Sequence, residues 1–167
     1  MPADITDAIP GPVPSNFDAE NADNLEDIEK QFAVKAVVHM QTYWAILEKV
    51  KGSSLRLTKI DDEILEHLKK DFPDFNPAET IVEDEMKSKS GKERWRNFMM
   101  QYEKKVDDYN FGTLLRSNPK FEYGEKETIF VPRMQFYAVE IARNRAGLND
   151  WIYEEAQKEK AEASKKS

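Results

Sequence analysis

Asp108-Tyr109-Asn110-Phe111-Gly112-Thr113-Leu114-Leu115-Arg116, followed after a polar loop by Thr128-Ile129-Phe130-Val131-Pro132-Arg133-Met134-Gln135-Phe136-Tyr137-Ala138-Val139-Glu140-Ile141-Ala142-Arg143-Asn144-Arg145, is the stretch that decides the fold. Asn110 and Gly112 mark a break. Thr113-Leu114-Leu115 and Thr128-Ile129-Phe130-Val131 then read as two short strands, with turns at Ser117-Asn118-Pro119 and Gly124-Glu125-Lys126 between them. Pro132 suits the first position of a helix, and Gly147 ends it. Met134, Phe136, Tyr137, Ala138, Val139, Ile141 and Ala142 cover most of that helix's circumference. A helix apolar nearly all round is buried, or buried on one side and bound by a partner on the other. Arg133, Arg143 and Arg145 stand at its ends, with Glu140 and Asn144 among them. They either bridge internal carboxylates such as Asp107 and Asp108 or face a partner, since arginine and aromatic residues are enriched at interface hot spots.

Helical spacing recurs upstream. A first helix is predicted from about Leu25 to Val50, capped by Asn24 and stopped by Gly52, with Leu25, Ile28, Phe32, Met40, Tyr43, Trp44 and Leu47 on its apolar stripe. Thr58-Lys59-Ile60-Asp61 resembles a capping box and opens a second helix, which Pro73 closes. Asn76-Pro77-Ala78-Glu79 predicts a short third helix reaching Met86. Ser90 to Glu93 forms a second capping box, after which Trp95, Phe98, Met99, Tyr102, Val106 and Tyr109 follow at helical spacing. Asn149 or Asp150 caps a last helix anchored by Trp151 and Ile152. The expected fold is therefore mostly α: a single compact helical domain of about six helices over residues 23–157, with a small two-stranded β-ribbon. Residues 1–22, with four of the chain's prolines and few large apolar side chains, are expected to be a disordered acidic tail, and 158–167 a charged, fraying one.

The chain of 167 residues is long enough for one domain with a real core. It holds no cysteine, which excludes disulfides and thiolate metal sites. No apolar run approaches a membrane span, and the N-terminus lacks the pattern of a signal peptide, so the cytosol is the expected compartment. Residues 1–24 carry Asp4, Asp7, Asp18, Glu20 and Asp23 and no Lys or Arg, which accounts for most of the net charge of −7. General nucleic-acid binding needs a basic footprint and is disfavoured; a basic protein partner is steered in by this field.

Catalytic patterns are sparse. His39 and His67 form no HxxxH or HxxE pair, so no metal site is expected. Asp61-Asp62-Glu63 and Glu83-Asp84-Glu85 fall in helical first turns or on exposed faces, where acids complement the dipole. No two of the six glycines lie within two residues of each other, so neither a phosphate loop nor a dinucleotide fingerprint exists. No cofactor is expected.

Five ordered blocks carry a resemblance. They are Leu57-Thr58-Lys59-Ile60-Asp61-Asp62, Lys92-Glu93-Arg94-Trp95-Arg96, Asp108 to Arg116, Thr128 to Arg133 with Gln135-Phe136, and Glu140 to Arg145. Over roughly Phe32 to Trp151 the chain resembles the eukaryotic family named polysaccharide biosynthesis domain-containing protein 1. The resemblance implies a cytosolic, ribosome-associated, ATP-independent chaperone dedicated to newly made translation elongation factor 1-alpha, not an enzyme. It further implies binding to that factor's GTP-binding domain, recruitment through the nascent polypeptide-associated complex, and release coupled to GTP binding by the client. The residues expected to touch the client are Arg116, Arg133, Phe136, Arg143, Asn144 and Trp151. The alternatives are an enzyme of polysaccharide biosynthesis and a translation-complex adaptor without folding activity.

Overall fold

A computed structural model describes residues 22–166, and the side chains of residues 30–165. The tail reading of residues 1–22 lies, up to residue 21, outside the described residues. Six α-helices and one ribbon follow in order: α1 (Ala22–Lys49), a 3-10 turn (Gly52–Ser54), α2 (Asp61–Asp71), α3 (Glu83–Met86), α4 (Lys89–Met100), β1 (Gly112–Arg116), β2 (Thr128–Pro132), α5 (Arg133–Arg145) and α6 (Asp150–Lys166). This is the mostly helical fold with a small ribbon that the sequence predicts.

The ribbon and α5 form the centre. β1 and β2 pair antiparallel, with Thr113 opposite Val131 and Leu115 opposite Ile129. These four side chains are buried, while Leu114 and Phe130 point outward, as the two-residue period of a strand requires. Phe130 lies across Gly112, where a Cβ would collide with its ring. Pro132 ends β2 rather than starting the helix, and α5 begins one residue later without a side-chain cap. The chain supplies a backbone cap instead: Arg133 N–H donates to the Phe111 carbonyl at 2.6 Å and Met134 N–H to that of Tyr109 at 2.7 Å. At the other end Gly147 takes φ 73°, Gly147 N–H donates to the Asn144 carbonyl at 3.0 Å and Leu148 N–H to that of Arg143 at 2.9 Å. That pair of bonds is a Schellman stop, which needs the left-handed backbone that glycine takes without strain.

Other helix boundaries depart from the sequence reading too. α1 begins at Ala22, so Asn24 lies within it instead of capping it. Asn76 starts no helix. Its Oδ1 accepts from Ala78 N–H in a local turn, and Ile81 N–H then donates to the Ser117 carbonyl at 2.7 Å, which holds the chain extended until α3. Ser88, not Ser90, caps α4. Its hydroxyl donates to the Glu85 carbonyl at 2.7 Å and accepts from Gly91 N–H at 3.1 Å, so one side chain closes α3 and opens α4. Finally, α4 stops at Met100 instead of running to Tyr109. The chain has to turn back there to bring the Tyr109 and Phe111 carbonyls to α5, and Asp108 adopts φ 62° in that turn.

The capping box of α2 is half formed. The Asp61 carboxylate reaches back to accept from Leu57 N–H (2.8 Å) and Thr58 N–H (2.7 Å), while the Thr58 hydroxyl serves Ile60 N–H. An aromatic seam then joins α2 to α4. Phe72 stacks on Trp95 at 4.3 Å, Trp95 meets Phe98 edge-on at 5.6 Å, and Phe98 lies 5.4 Å from Tyr102. On the other side of α5, α1 crosses β1 and packs along α6, with Trp44 edge-on to Trp151 at 6.0 Å. From Lys158 to Lys165 the side chains of α6 are all exposed as the helix continues.

Candidate interaction surface and the polar core behind it

α5 buries eleven of its side chains, five of them polar: Arg133, Gln135, Glu140, Arg143 and Asn144. Glu140 is their hub and has no exposure. Its Oε1 accepts from the Tyr43 hydroxyl (2.8 Å), Asn149 Nδ2 (3.0 Å) and Arg116 Nη2 (3.4 Å), and its Oε2 accepts from Arg143 Nη1 (2.7 Å). Burial alone pushes this carboxyl up, but Arg116 and Arg143 outweigh it and hold it below the ordinary glutamate range. Burial and the same carboxylate push the Tyr43 hydroxyl well above its ordinary value, so it stays a neutral donor.

Arg116 does more than face Glu140. Its Nη1 donates to the Pro119 and Phe121 carbonyls at 2.8 and 3.0 Å, and its Nη2 to Asn149 Oδ1 at 2.6 Å. Trp151 Nε1 donates to the same Pro119 carbonyl at 2.8 Å. The loop between the strands is thus tied to α5 and α6 by one guanidinium and one indole. Asn149 Nδ2 also donates to Asn144 Oδ1 at 2.7 Å, and Asn144 Nδ2 to the Tyr43 hydroxyl at 3.2 Å, which closes the network onto α1.

The six residues expected at a client surface therefore sit as follows. Arg116 and Arg143 have no exposure, Phe136 has 1%, Asn144 2% and Arg133 4%. Trp151 is half-buried against Trp44. None of the first five presents a face to a partner in this conformation. Arg133 pairs with Asp108 at 3.4 Å, one of the carboxylates anticipated for it, whereas Arg116 and Arg143 turn to Glu140. Arg145 alone of the arginines at the ends of α5 is exposed, beside Asp62.

A different surface is available. On α1, Ala36, Tyr43 and Leu47 face the core. The opposite side exposes Gln31, Ala33, Val34, Val37, Val38, Gln41, Thr42, Ala45 and Ile46, and none of these is charged. Val34 is 58% exposed, Val38 42% and Ile46 40%. The solvent side of a surface helix is ordinarily charged or strongly polar, so a face without charge beyond the half-exposed Lys35, about 14 Å long between Val37 and Ile46 and extended by Val34, marks a contact surface. The sequence carries a signal for it: Ala36 to Leu47 contains no Asp, Glu, Lys or Arg. A second apolar exposure is Phe130, 49% exposed on the outer face of the ribbon.

Two histidines define the remaining chemistry. His39 Nδ1 lies 2.5 Å from Thr113 Oγ1, and its ring meets Phe136 edge-on at 5.2 Å. Burial, with a contribution from Arg133, lowers its pKa from 6.5 to about 4. The folded protein holds His39 neutral, and the unfolded chain protonates it first. His39 therefore weakens folding as pH falls from 6.5 towards 4, by at most about 3 kcal/mol for the whole window. Denaturant titrations should show that decline, and His39→Gln should flatten it while leaving the loss at still lower pH that Glu140 produces. His67 bridges Asp71 Oδ2 (2.8 Å, to Nε2) and the Tyr102 hydroxyl (2.8 Å, to Nδ1). The His67-to-Asp71 spacing is readable in sequence, but its partner Tyr102 is not. Tyr102 is 2% exposed, and burial together with Glu63 and Asp71 pushes its pKa up to about 12, so the trio holds a neutral hydroxyl rather than an activated nucleophile. Among the described residues no group of His, Asp and Glu is arranged to hold a metal ion, and no helix is long and apolar enough to cross a membrane.

Residues 28–154 match the family model described as PBDC1 protein. A Schizosaccharomyces pombe protein named Protein PBDC1 homolog is 62% identical over 141 residues, which is 83% of this chain and 96% of that one. Human Protein PBDC1 is 40% identical over 144 residues, 86% of this chain and 61% of the longer human protein. The solution NMR structure of a Saccharomyces cerevisiae protein superimposes with TM-score 0.73 at 57% identity, covering 84% of this chain and 98% of that one. The fold and these matches agree with the five sequence blocks, and the chain belongs to the PBDC1 family.

Proposed function

We propose that the protein is a client-specific, ATP-independent chaperone for newly made translation elongation factor 1-alpha, and that the outer face of α1 receives the client's GTP-binding domain. The observation that carries this reading is the apolar strip from Val34 to Ile46, free of charge beyond Lys35, on a helix whose other side is anchored in the core. An incompletely folded domain exposes apolar surface, and such a strip covers it without requiring a catalytic group. The net charge of −7 suits a basic translation factor. Release follows if GTP favours a client conformation that the strip binds poorly, since a ligand shifts an equilibrium by its differential affinity for the two states. The protein would work in the cytosol beside the ribosome, recruited through the nascent polypeptide-associated complex, with no cofactor and no direct nucleic-acid contact. Three of the six residues first expected at the contact enter this scheme as its support: Arg116, Arg143 and Asn144 form one hydrogen-bonded unit with Glu140 and Tyr43 of α1 behind the strip.

The test is co-purification from translating lysate. The tagged chain should bring down nascent elongation factor with ribosomes, and added GTP should release the factor. Equal capture of nascent and mature factor, with no response to GTP, identifies an adaptor instead. Binding of a sugar nucleotide by the purified chain without any elongation factor identifies an enzyme.

A further inference from the structure

A groove of about 270 Å³ lies between α2 and the C-terminal end of α5, on the side of α5 away from α1. Leu65, Leu68, Phe72 and Ala142 form its floor, and Phe75 and Pro77 its far wall. Its rim carries two cations. Among the described residues Lys69 has no ion-pair partner and Arg145 pairs only with Asp62, itself 84% exposed. An apolar slot between two cations fits a short segment with one branched apolar side chain flanked by carboxylates.

This chain contains such a segment. Residues 1–21 carry Asp4, Asp7, Asp18 and Glu20 and no Lys or Arg, and their branched or aromatic apolar residues are Ile5, Ile9, Val13 and Phe17. Reach selects among these four. α1 and α5 run in the same direction, because His39 meets Phe136 while Tyr43, further along α1, bonds Glu140 and Asn144. Ala22, the first residue of α1, therefore lies at the far end from the groove, roughly 40 Å away at 1.5 Å per helical residue. Extended chain back from Ala22 reaches about 17 Å to Phe17 and about 30 Å to Val13, which is too short, about 43 Å to Ile9, and about 56 Å to Ile5. Ile5 arrives with slack, and Asp4 and Asp7 stand on either side of it.

We propose that Asp4-Ile5-Thr6-Asp7 docks in this groove, with Ile5 on the apolar floor and the two aspartates against Lys69 and Arg145. The contact is separate from the client surface on α1. The absence of native cysteine allows a single nitroxide label on Ala8→Cys in the full chain. Amide signals of Leu68, Lys69, Phe72 and Ala146 should lose most of their intensity, and recover in the Lys69→Glu/Arg145→Glu and Ile5→Ser variants. All these substitutions lie at exposed positions or outside the described residues, so the fold is kept. Unchanged signals at the groove, or broadening centred on the outer face of α1, overturns the proposal. Broadening that arises only between molecules, seen by mixing labelled unenriched chain with enriched unlabelled chain, also overturns it and assigns the groove to a second copy.

Discussion

Glu140→Gln is expected to lower folding stability by about 3–5 kcal/mol, the cost of leaving buried charge uncompensated. For a chain of this size that is a fall in Tm of roughly 6–20 °C. Glu140 has no exposure and is the carboxylate that both Arg116 and Arg143 bond, and neither of these is exposed. Glutamine keeps the shape but removes the charge, and its amide places a donor where one guanidinium needs an acceptor. The electrostatic origin is separable from packing. Arg143→Met alone leaves Glu140 paired with Arg116, so it should cost less than Glu140→Gln. In the Glu140→Gln background Arg143→Met removes one stranded cation, and the double variant should be more stable than the sum of the singles by over about 1 kcal/mol. Additive losses would mean that the network is ordinary packing that happens to contain charges. The prediction has a structural consequence too: Arg116 ties down the Pro119 and Phe121 carbonyls, so hydrogen exchange in that loop should rise with the loss of Glu140.

The second large effect concerns binding. Val34→Glu/Val38→Glu should weaken capture of the nucleotide-free GTP-binding domain at least 100-fold, and Val34→Lys/Val38→Lys should do the same. A carboxylate or ammonium placed in an apolar contact must lose its water whichever sign it carries. A sign-dependent result, with lysine tolerated less than glutamate, would instead indicate that attraction to a basic client dominates. Folding should change little, by about 0.5–1 kcal/mol, because both valines are exposed and the new like charges stand one helical turn apart. Thermal melting of the free variants checks that condition before any binding loss is interpreted.

How far the sequence reaches is clearest on α5. Apolar residues on most of its circumference announce a buried helix, and it is the most buried element. The same pattern is silent on where its arginines go. Arg143 lies one turn from Glu140 and could be paired by spacing alone, but Arg116 joins them only because the ribbon lays β1 beside α5. Arginines at the ends of an apolar helix have the composition of an interface, yet Arg143 is interior because Glu140 accepts from it and Arg133 because Asp108 does, while Arg116 of β1 is held by Glu140, Asn149 and the Pro119 and Phe121 carbonyls, acceptors that long-range folding brings together. The uncharged run from Ala36 to Leu47 was equally legible. Its apolar stripe reads as core from either side of the helix, and only burial separates the anchored face of Tyr43 and Leu47 from the open face of Val34 and Val38. Helix starts depended on competition between neighbouring caps: Ser88 and Ser90 are both suitable, and the adjoining end of α3 decides for Ser88.

The most direct measurement is the affinity of the purified chain for the nascent GTP-binding domain of elongation factor 1-alpha, with and without GTP, for the native sequence and for Val34→Glu/Val38→Glu. The native chain should bind the nucleotide-free domain and lose most of that affinity when GTP is added, while the double variant, equally well folded, binds neither form. Undiminished binding by the double variant, or affinity indifferent to GTP, contradicts the assignment of the α1 face as a conformation-sensitive client site.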